Sequence, residues 1–321
     1  MNLYKIDITP TSLFKDFPSS YTIFGAISWA YSLLYGEEKL NNLLNKYKNG
    51  ETPFILSSIL PREKDRYYFP KPNLKAKRVE NSDDDYKKLK KISYIDFELM
   101  KQVLENKIKN EFELNEQLKN RIEESKGRLA SKDAIPHASI DRLYGTTEGG
   151  GQLFFEEVVA MSEGYILIAI KNENIKKELE TVFNLLQDIG LGGNRSVGYG
   201  RVVFGKFEPF PEIEKYFKNK TDKFITLAPV IPEKETYDLS NSYYDYFTFR
   251  GAIDNNYDFK DVDIWKDKVI YLKEGSTLKI KNEKDIYGQF YSAKTIDEKD
   301  KNKKVIYQYG LAFPLFIQGG N

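Results

Sequence analysis

The sequence predicts an α+β fold of two ferredoxin-like domains, the second degenerate, with a helical and basic insertion in the first. Three observations carry this expectation. Residues 3–207 run in the order strand, helix, strand, insertion, strand, strand, helix, strand, the ferredoxin-like order, for which one four-stranded antiparallel sheet is expected. The 321 residues exceed the usual span of a single core. Pro209 and Pro211 follow the last strand of the run and divide the chain into 1–208 and 209–321.

Each element has its own signal. Leu3 to Ile8 alternates polar and apolar residues and ends at Thr9-Pro10, as a half-buried strand does. Ser19 or Ser20 then caps a helix whose apolar positions Ile23, Phe24, Ile27, Ala30, Tyr31 and Leu34 fall on one face, and Gly36 ends it. Leu40, Leu43, Leu44 and Tyr47 make a second helical face, and Phe54 to Ile59 reads as a strand closed by Pro61. Residues 62–136 are polar and lysine-rich, with YYFPKP at 67–72 and an aspartate triplet at 83–85, and read as an insertion projecting from the domain. Gln152–Ala160 and Tyr165–Lys171 look like paired strands. A helix capped at Asn172 or Asn174 follows, with Ile175, Leu179, Val182, Phe183 and Leu186 on its buried face. Arg201–Phe207 is the last strand of the unit. One face of the sheet should carry both helices and the other should be free, the face on which RNA-recognition modules of this topology stack bases. Beyond residue 209 the strand candidates are 224–231, 246–250, 268–272, 277–280 and 311–317, and the charged stretch 281–304 reads as an exposed loop.

Composition narrows the chemistry. The chain has no cysteine, which removes disulfides, thiolate metal sites and cysteine nucleophiles. Its single histidine, His137, rules out a histidine-based metal site within one chain. The net charge of +1 argues against a uniformly basic coat and leaves room for a local basic groove. No apolar run reaches membrane-spanning length, and MNLYKIDITP lacks the apolar core of a signal peptide, so a cytoplasmic protein without a membrane partner is expected.

The most informative segment is GLGGNRSVGYG, Gly190 to Gly200, between the second helix and the last strand. It is neither a P-loop, which needs Gly-Lys-Ser/Thr, nor a dinucleotide fingerprint, which follows a strand and opens a helix. Gly190, Gly192, Gly193 and Gly198 let a ligand approach the main chain, while Asn194, Arg195, Ser196 and Tyr199 offer groups for phosphates and bases. A second cluster, HASIDRLYGTTEGGG at 137–151, holds Arg142, which either pairs with Asp141 or presents its fork to a phosphate. Ser19 and Ser20 at a helix start suit simple capping or an anion. Lys71, Lys75, Lys77 and Arg78, beside three aromatics, suit a solvated face or an RNA-contacting arm. His137 is a structural histidine or a general base.

Four segments together resemble the RAMP superfamily of CRISPR proteins, and within it the family of fourth subunits of type III-A effectors, the Csm complexes. They are SSYTIFGAISWAY (19–31), HASIDRLYGTTEGGGQLFFEE (137–157), IGLGGNRSVGYGRV (189–202) and YQYGLAFPLFI (307–317), the last with EGS at 274–276. The resemblance implies a non-catalytic scaffold without a cofactor or metal. It implies binding of the 5′ repeat-derived tag of the CRISPR RNA and docking of the large polymerase-like subunit and the backbone RAMP subunit. By the same resemblance Gly192, Gly193, Asn194, Arg195 and Ser196 would line the tag, with Ser19, Ser20, Arg142 and the 67–78 arm as weaker contributors. The chain departs from the family at SLFKDFP (12–18). Two alternatives stand: a metal-independent RAMP endoribonuclease using His137, and the RAMP fold-mate that forms a stem in DNA-targeting complexes.

Overall fold

From its N-terminus the chain runs through strand β1 (Asn2–Pro10) and helices α1 (Ser20–Tyr35) and α2 (Glu37–Lys48). The computed structural model describes residues 1–76, 89, 91–119, 129–140, 153–253, 264–297 and 303–319. The carbonyl of Ser19 accepts from Thr22 and Ile23 to start α1, and Gly36, at φ 85°, ends it. Ile23, Phe24, Ile27, Ala30 and Tyr31 are buried, as their helical spacing requires. The next strand is split into β2 (Phe54–Leu56) and β3 (Leu60–Glu63). At the break the Ser57 hydroxyl accepts from the Leu167 amide and donates to the Ser58 carbonyl.

The insertion contributes β4 (Arg66–Pro70), β5 (Tyr94–Asp96), α3 (Phe97–Leu104) and α4 (Glu111–Lys119). After it come β6 (Ala130–Ala138), β7 (Leu153–Met161), β8 (Gly164–Ile170) and α5 (Glu173–Ile189), which is capped by the Asn172 side chain. β9 (Val202–Phe204) and β10 (Glu208–Pro209) close the first half. The second half holds α6 (Pro211–Lys218), β11 (Lys223–Thr226), β12 (Tyr246–Phe249) and β13 (Val269–Leu272). It ends with β14 (Thr277–Lys279), β15 (Gly288–Asp297), β16 (Lys303–Leu311) and β17 (Pro314–Phe316).

Antiparallel sheets are packed with helices throughout. The main sheet has the order β10-β1-β8-β3-β4-β5, with β9 also on β1 and β2 also on β8. Within it the strands of the βαββαβ run lie in the spatial order fourth, first, third, second. α5 sits on the Tyr4 side of β1, where the Tyr4 hydroxyl meets Glu173, and Tyr31 of α1 donates to Glu178 of α5. All seven residues of β8 are buried, so the strand is covered on both faces.

Four expectations are corrected. β7 and β8 do not pair with each other: β7 pairs with β6, from Ala130–Met161 to Ala138–Leu153, and β8 pairs with β1. Gly164 lets β3 approach β8 closely, because a Cβ there would lie 2.9 Å from the Leu60 carbonyl oxygen. The described residues 66–70 and 91–119 of the insertion do not project. Ile95, Leu99, Met100, Val103, Leu104 and Leu114 are buried in the main core, and Tyr68 and Phe69 of the supposed RNA-contacting arm are buried in the sheet. The face opposite α5 is not free either. Tyr67, Tyr165 and Phe210 pack there with ring centroids 5.0–6.5 Å apart, and Phe69 and Phe97 join them. Finally, 281–304 is not simply a loop, since Gly288–Asp297 forms β15 and pairs with β16.

In the second half β11 lies between β14 and β17. Part of its core is continuous with that of the first half, while Phe224, Val230, Leu278, Tyr287 and Phe316 form a separate buried cluster. Ile225, Leu227, Tyr309, Leu311, Phe313 and Leu315 are in the same buried cluster as Ile6, Phe24, Leu56 and Tyr165. Among the described residues no helix is long and apolar enough to cross a membrane.

Candidate functional site

The glycine-rich loop begins where α5 ends. Gly190 donates to the Leu186 carbonyl as the helix cap, and the loop is then pinched shut by the Leu191 amide donating to the Gly200 carbonyl (2.8 Å). Gly200, at φ +72°, allows this approach: a Cβ there would stand 1.9 Å from the Leu191 carbonyl oxygen. Between these ends Asn194 adopts the left-handed conformation, and its carbonyl accepts from Val197 and Tyr199 around a short 3₁₀ turn, Arg195–Val197. A Cβ added at Gly192 or Gly198 would meet nothing within 4 Å. The main chain there faces open space, which is what a loop gripping a ligand through its backbone requires.

The loop is anchored to the 11–18 turn. Gly200 donates to the Leu13 carbonyl (2.8 Å), Arg201 donates to the Ser12 hydroxyl (2.8 Å), and Thr11 donates to the Arg201 carbonyl (2.9 Å). The guanidinium of Arg201 is hydrogen-bonded to the Asp188 carbonyl at the end of α5. The same turn holds the β6–β7 hairpin, because Phe14 and Val159 exchange both backbone hydrogen bonds. Turn, hairpin and loop therefore form one surface, and this explains why SLFKDFP matters although it departs from the expected pattern.

Glu156 of β7 is the hub of that surface. Its carboxylate lies 3.0 Å from Lys15 Nζ, 2.5 Å from Asn194 Nδ2, 3.3 Å from the Tyr199 hydroxyl and 3.2 Å from His137 Nε2. The His137 contact has ion-pair distance without the alignment of a hydrogen bond. Lys15 above all, then Tyr199 and His137, hold the Glu156 carboxyl below the usual carboxylate range. Loss of solvent and the neighbouring Glu156 charge push the Tyr199 hydroxyl up. The His137 ring stacks on Phe154, centroids 5.3 Å apart. Around this group Phe154 and Val197 are exposed, with Val197 at 71%. Large exposed apolar side chains beside a polar cluster mark a contact surface.

The sequence-derived candidates divide into three sets. Gly190, Gly192, Gly193, Asn194, Arg195, Ser196, Gly198 and Tyr199 come together with His137. Of these, Gly193, Asn194, Ser196 and Gly198 are exposed, and Arg195 is half-buried. A second set lies elsewhere. Ser20 is fully buried, its amide donating to the Ser58 hydroxyl, and this takes it off the binding surface. Ser58 in turn donates to Glu274 (2.5 Å), so the start of α1 is served by the protein's own carboxylate rather than by a free anion site. Burial raises the Glu274 pKa, while hydrogen bonds from Ser58 and Ser19 oppose that shift. Ser19 is half-buried beside it. Lys71 is tied to the Leu89 carbonyl and to Asn115, whereas Lys75 is exposed. Lys77, Arg78 and Arg142, with Asp141 and the aspartate triplet, lie outside the described residues.

Sequence reasoning missed Glu156 and Lys15. Signals existed for both: Glu156 interrupts the apolar run LFFEEVVA, and Lys15 sits in the turn that departs from the family pattern.

Comparison with known proteins gives a consistent result. The model of the RAMP superfamily matches residues 18–203. A protein of Methanocaldococcus jannaschii described as "CRISPR system Cms protein Csm4" is 29% identical over 303 residues, covering 81% of this chain and 78% of its own. A chain in the crystal structure of a Csm3–Csm4 subcomplex of the type III-A CRISPR-Cas interference complex superposes with a TM-score of 0.61 at 21% identity, over 97% of this chain and 98% of that one. A chain in a Csm1–Csm4 cassette bound to pppApA does so with a TM-score of 0.56 at 18% identity, over 98% of each.

Proposed function

The chain belongs to the RAMP superfamily, and from that membership we propose that it is a non-catalytic scaffold subunit of a type III-A CRISPR interference complex that binds the 5′ tag of the CRISPR RNA. The observation that carries the reading is the glycine loop, which presents Asn194, Arg195, Ser196 and an open main chain beside exposed Phe154. Such a surface suits single-stranded RNA: main-chain amides and a guanidinium for phosphates, aromatic faces for unstacked bases. The relative named Csm4 and the Csm3–Csm4 and Csm1–Csm4 structures support two protein partners, the backbone RAMP subunit and the large polymerase-like subunit. In this reading 1–208 is a ferredoxin-like unit with its insertion at 62–136, and 209–321 is a degenerate second one.

The test is co-purification. Arg195→Ala should lower guide-RNA occupancy of the assembled complex by about tenfold at fixed salt, the order expected for one charge-assisted phosphate contact. Unchanged occupancy would argue decisively against the role.

One observation favours a second reading. His137 has an acid at 3.2 Å and Lys15 and Tyr199 close by, the ingredients of metal-independent RNA cleavage. Incubating labelled repeat RNA with the pure chain and with His137→Ala decides it, since cleavage that the substitution abolishes would make the chain a nuclease.

A further inference from the structure

Glu156 collects more polar neighbours than a surface carboxylate normally does. Lys15, Asn194, Tyr199 and His137 approach from the 11–18 turn, the glycine loop and β6, and all four converge on this one side chain, which retains 13% of its exposure. Part-exposed ion pairs contribute little to stability, so three separate segments need not be drawn to one carboxylate for the fold's sake. The β6–β7 ladder and the Phe14–Val159 pair already fasten the hairpin without it. Carboxylate and phosphodiester oxygens accept the same charge-assisted hydrogen bonds from the same donors.

We propose that Lys15, His137, Asn194 and Tyr199 form a subsite for one backbone phosphodiester of single-stranded RNA, and that Glu156 fills this subsite in the free chain. The inference rests on the RNA-binding reading above and goes further, because it assigns the donors and names the group they hold beforehand. The carboxylate is displaced when RNA arrives. Its own charge, kept ionised by Lys15, is the barrier to binding.

The experiment measures binding of a short single-stranded RNA to the purified full chain by fluorescence anisotropy over a salt series. Glu156→Gln keeps the shape of the side chain and removes its charge. It should bind about fivefold more tightly than the parent chain, the order of one unit charge acting across about 4 Å of water-like dielectric. Its log–log salt dependence should steepen by up to about 0.7, because the subsite then carries one more uncompensated positive charge toward the RNA. Glu157→Gln, on the neighbouring exposed position, should change neither. Lys15→Ala added to Glu156→Gln should erase the gain, which a purely structural lysine would not do. Because His137 is the sole histidine, its ring resonance reports on the subsite directly and should move when RNA is added. RNA binding that Glu156→Gln leaves unchanged or weakens overturns the subsite and leaves the wider reading standing. A chain that binds no RNA in either form, with a stationary His137 signal, also overturns it, and the co-purification test still decides the complex-level role.

Discussion

Gly200 shows how one residue can fix a binding loop. A methyl group there collides with the Leu191 carbonyl, and φ is positive as well. Gly192 shares the positive φ but faces open space. Gly192→Ala should therefore cost only the conformational penalty, about 1–2 kcal/mol. Gly200→Ala should cost at least about 3 kcal/mol, because overlap with a backbone atom adds to that penalty. Urea midpoints of the two variants check this, and equal losses would mean that close packing does not select glycine at 200. The run of glycines was visible in the sequence, but which of them is sterically required was not, because that depends on a carbonyl the folded loop brings back. The partner of His137 was hidden for a related reason. His137 opposes Phe154 in the β6–β7 register, and Glu156 lies two residues along the same face. Once the register is known the contact follows, and no sequence spacing announces it.

At the level of elements, periodicity located β1, α1, β8 and α5 closely, and the Asn172 cap was among the options the sequence offered. It misjudged the insertion because lysines diluted its apolar signal. Phe97, Leu99, Met100, Val103 and Leu104 stand at helical spacing behind the Asp96 cap, yet Lys101, Lys107 and Lys109 gave the region a polar look. Helix formation was legible there and burial was not, because burial depends on the main core that α3 meets. Met100→Ala should accordingly destabilise the chain by about 2–5 kcal/mol, the range for truncating a fully buried side chain. Exposed Lys75→Ala provides the comparison, with a change within about 0.5 kcal/mol. Thermal melts of both variants distinguish a core helix from an appendage.

For the whole molecule, length suggested two domains, but length counts residues and says nothing of the contacts between them. Tyr309 shows what it leaves out: its hydroxyl accepts from the Leu56 amide in the main sheet, and its ring stacks on Phe24 of α1. Leu311, Phe313 and Leu315 lie in the same core. Each such side chain contributes about 1.5–3 kcal/mol on burial, so losing four rivals the net stability of an entire domain, about 5–15 kcal/mol. The full chain should then unfold in one transition, and a 1–208 fragment should show no cooperative melt. Two resolved transitions by calorimetry, or a fragment with a sharp melt of its own, would mean that the halves are independent.

The hydrogen bonds from the Ser20 amide to Ser58, and from Ser58 to Glu274, tie the start of the molecule to a residue made near its end. A ribosome adding about 5–20 residues per second needs some tens of seconds to travel the roughly 250 residues between them. Throughout that interval the first helix is an emerged but unfinished structure, with Phe24 waiting for Tyr309. A nascent chain of this kind keeps apolar surface uncovered until its last strands emerge, so a product truncated before Tyr309 should aggregate instead of acting as a smaller working protein.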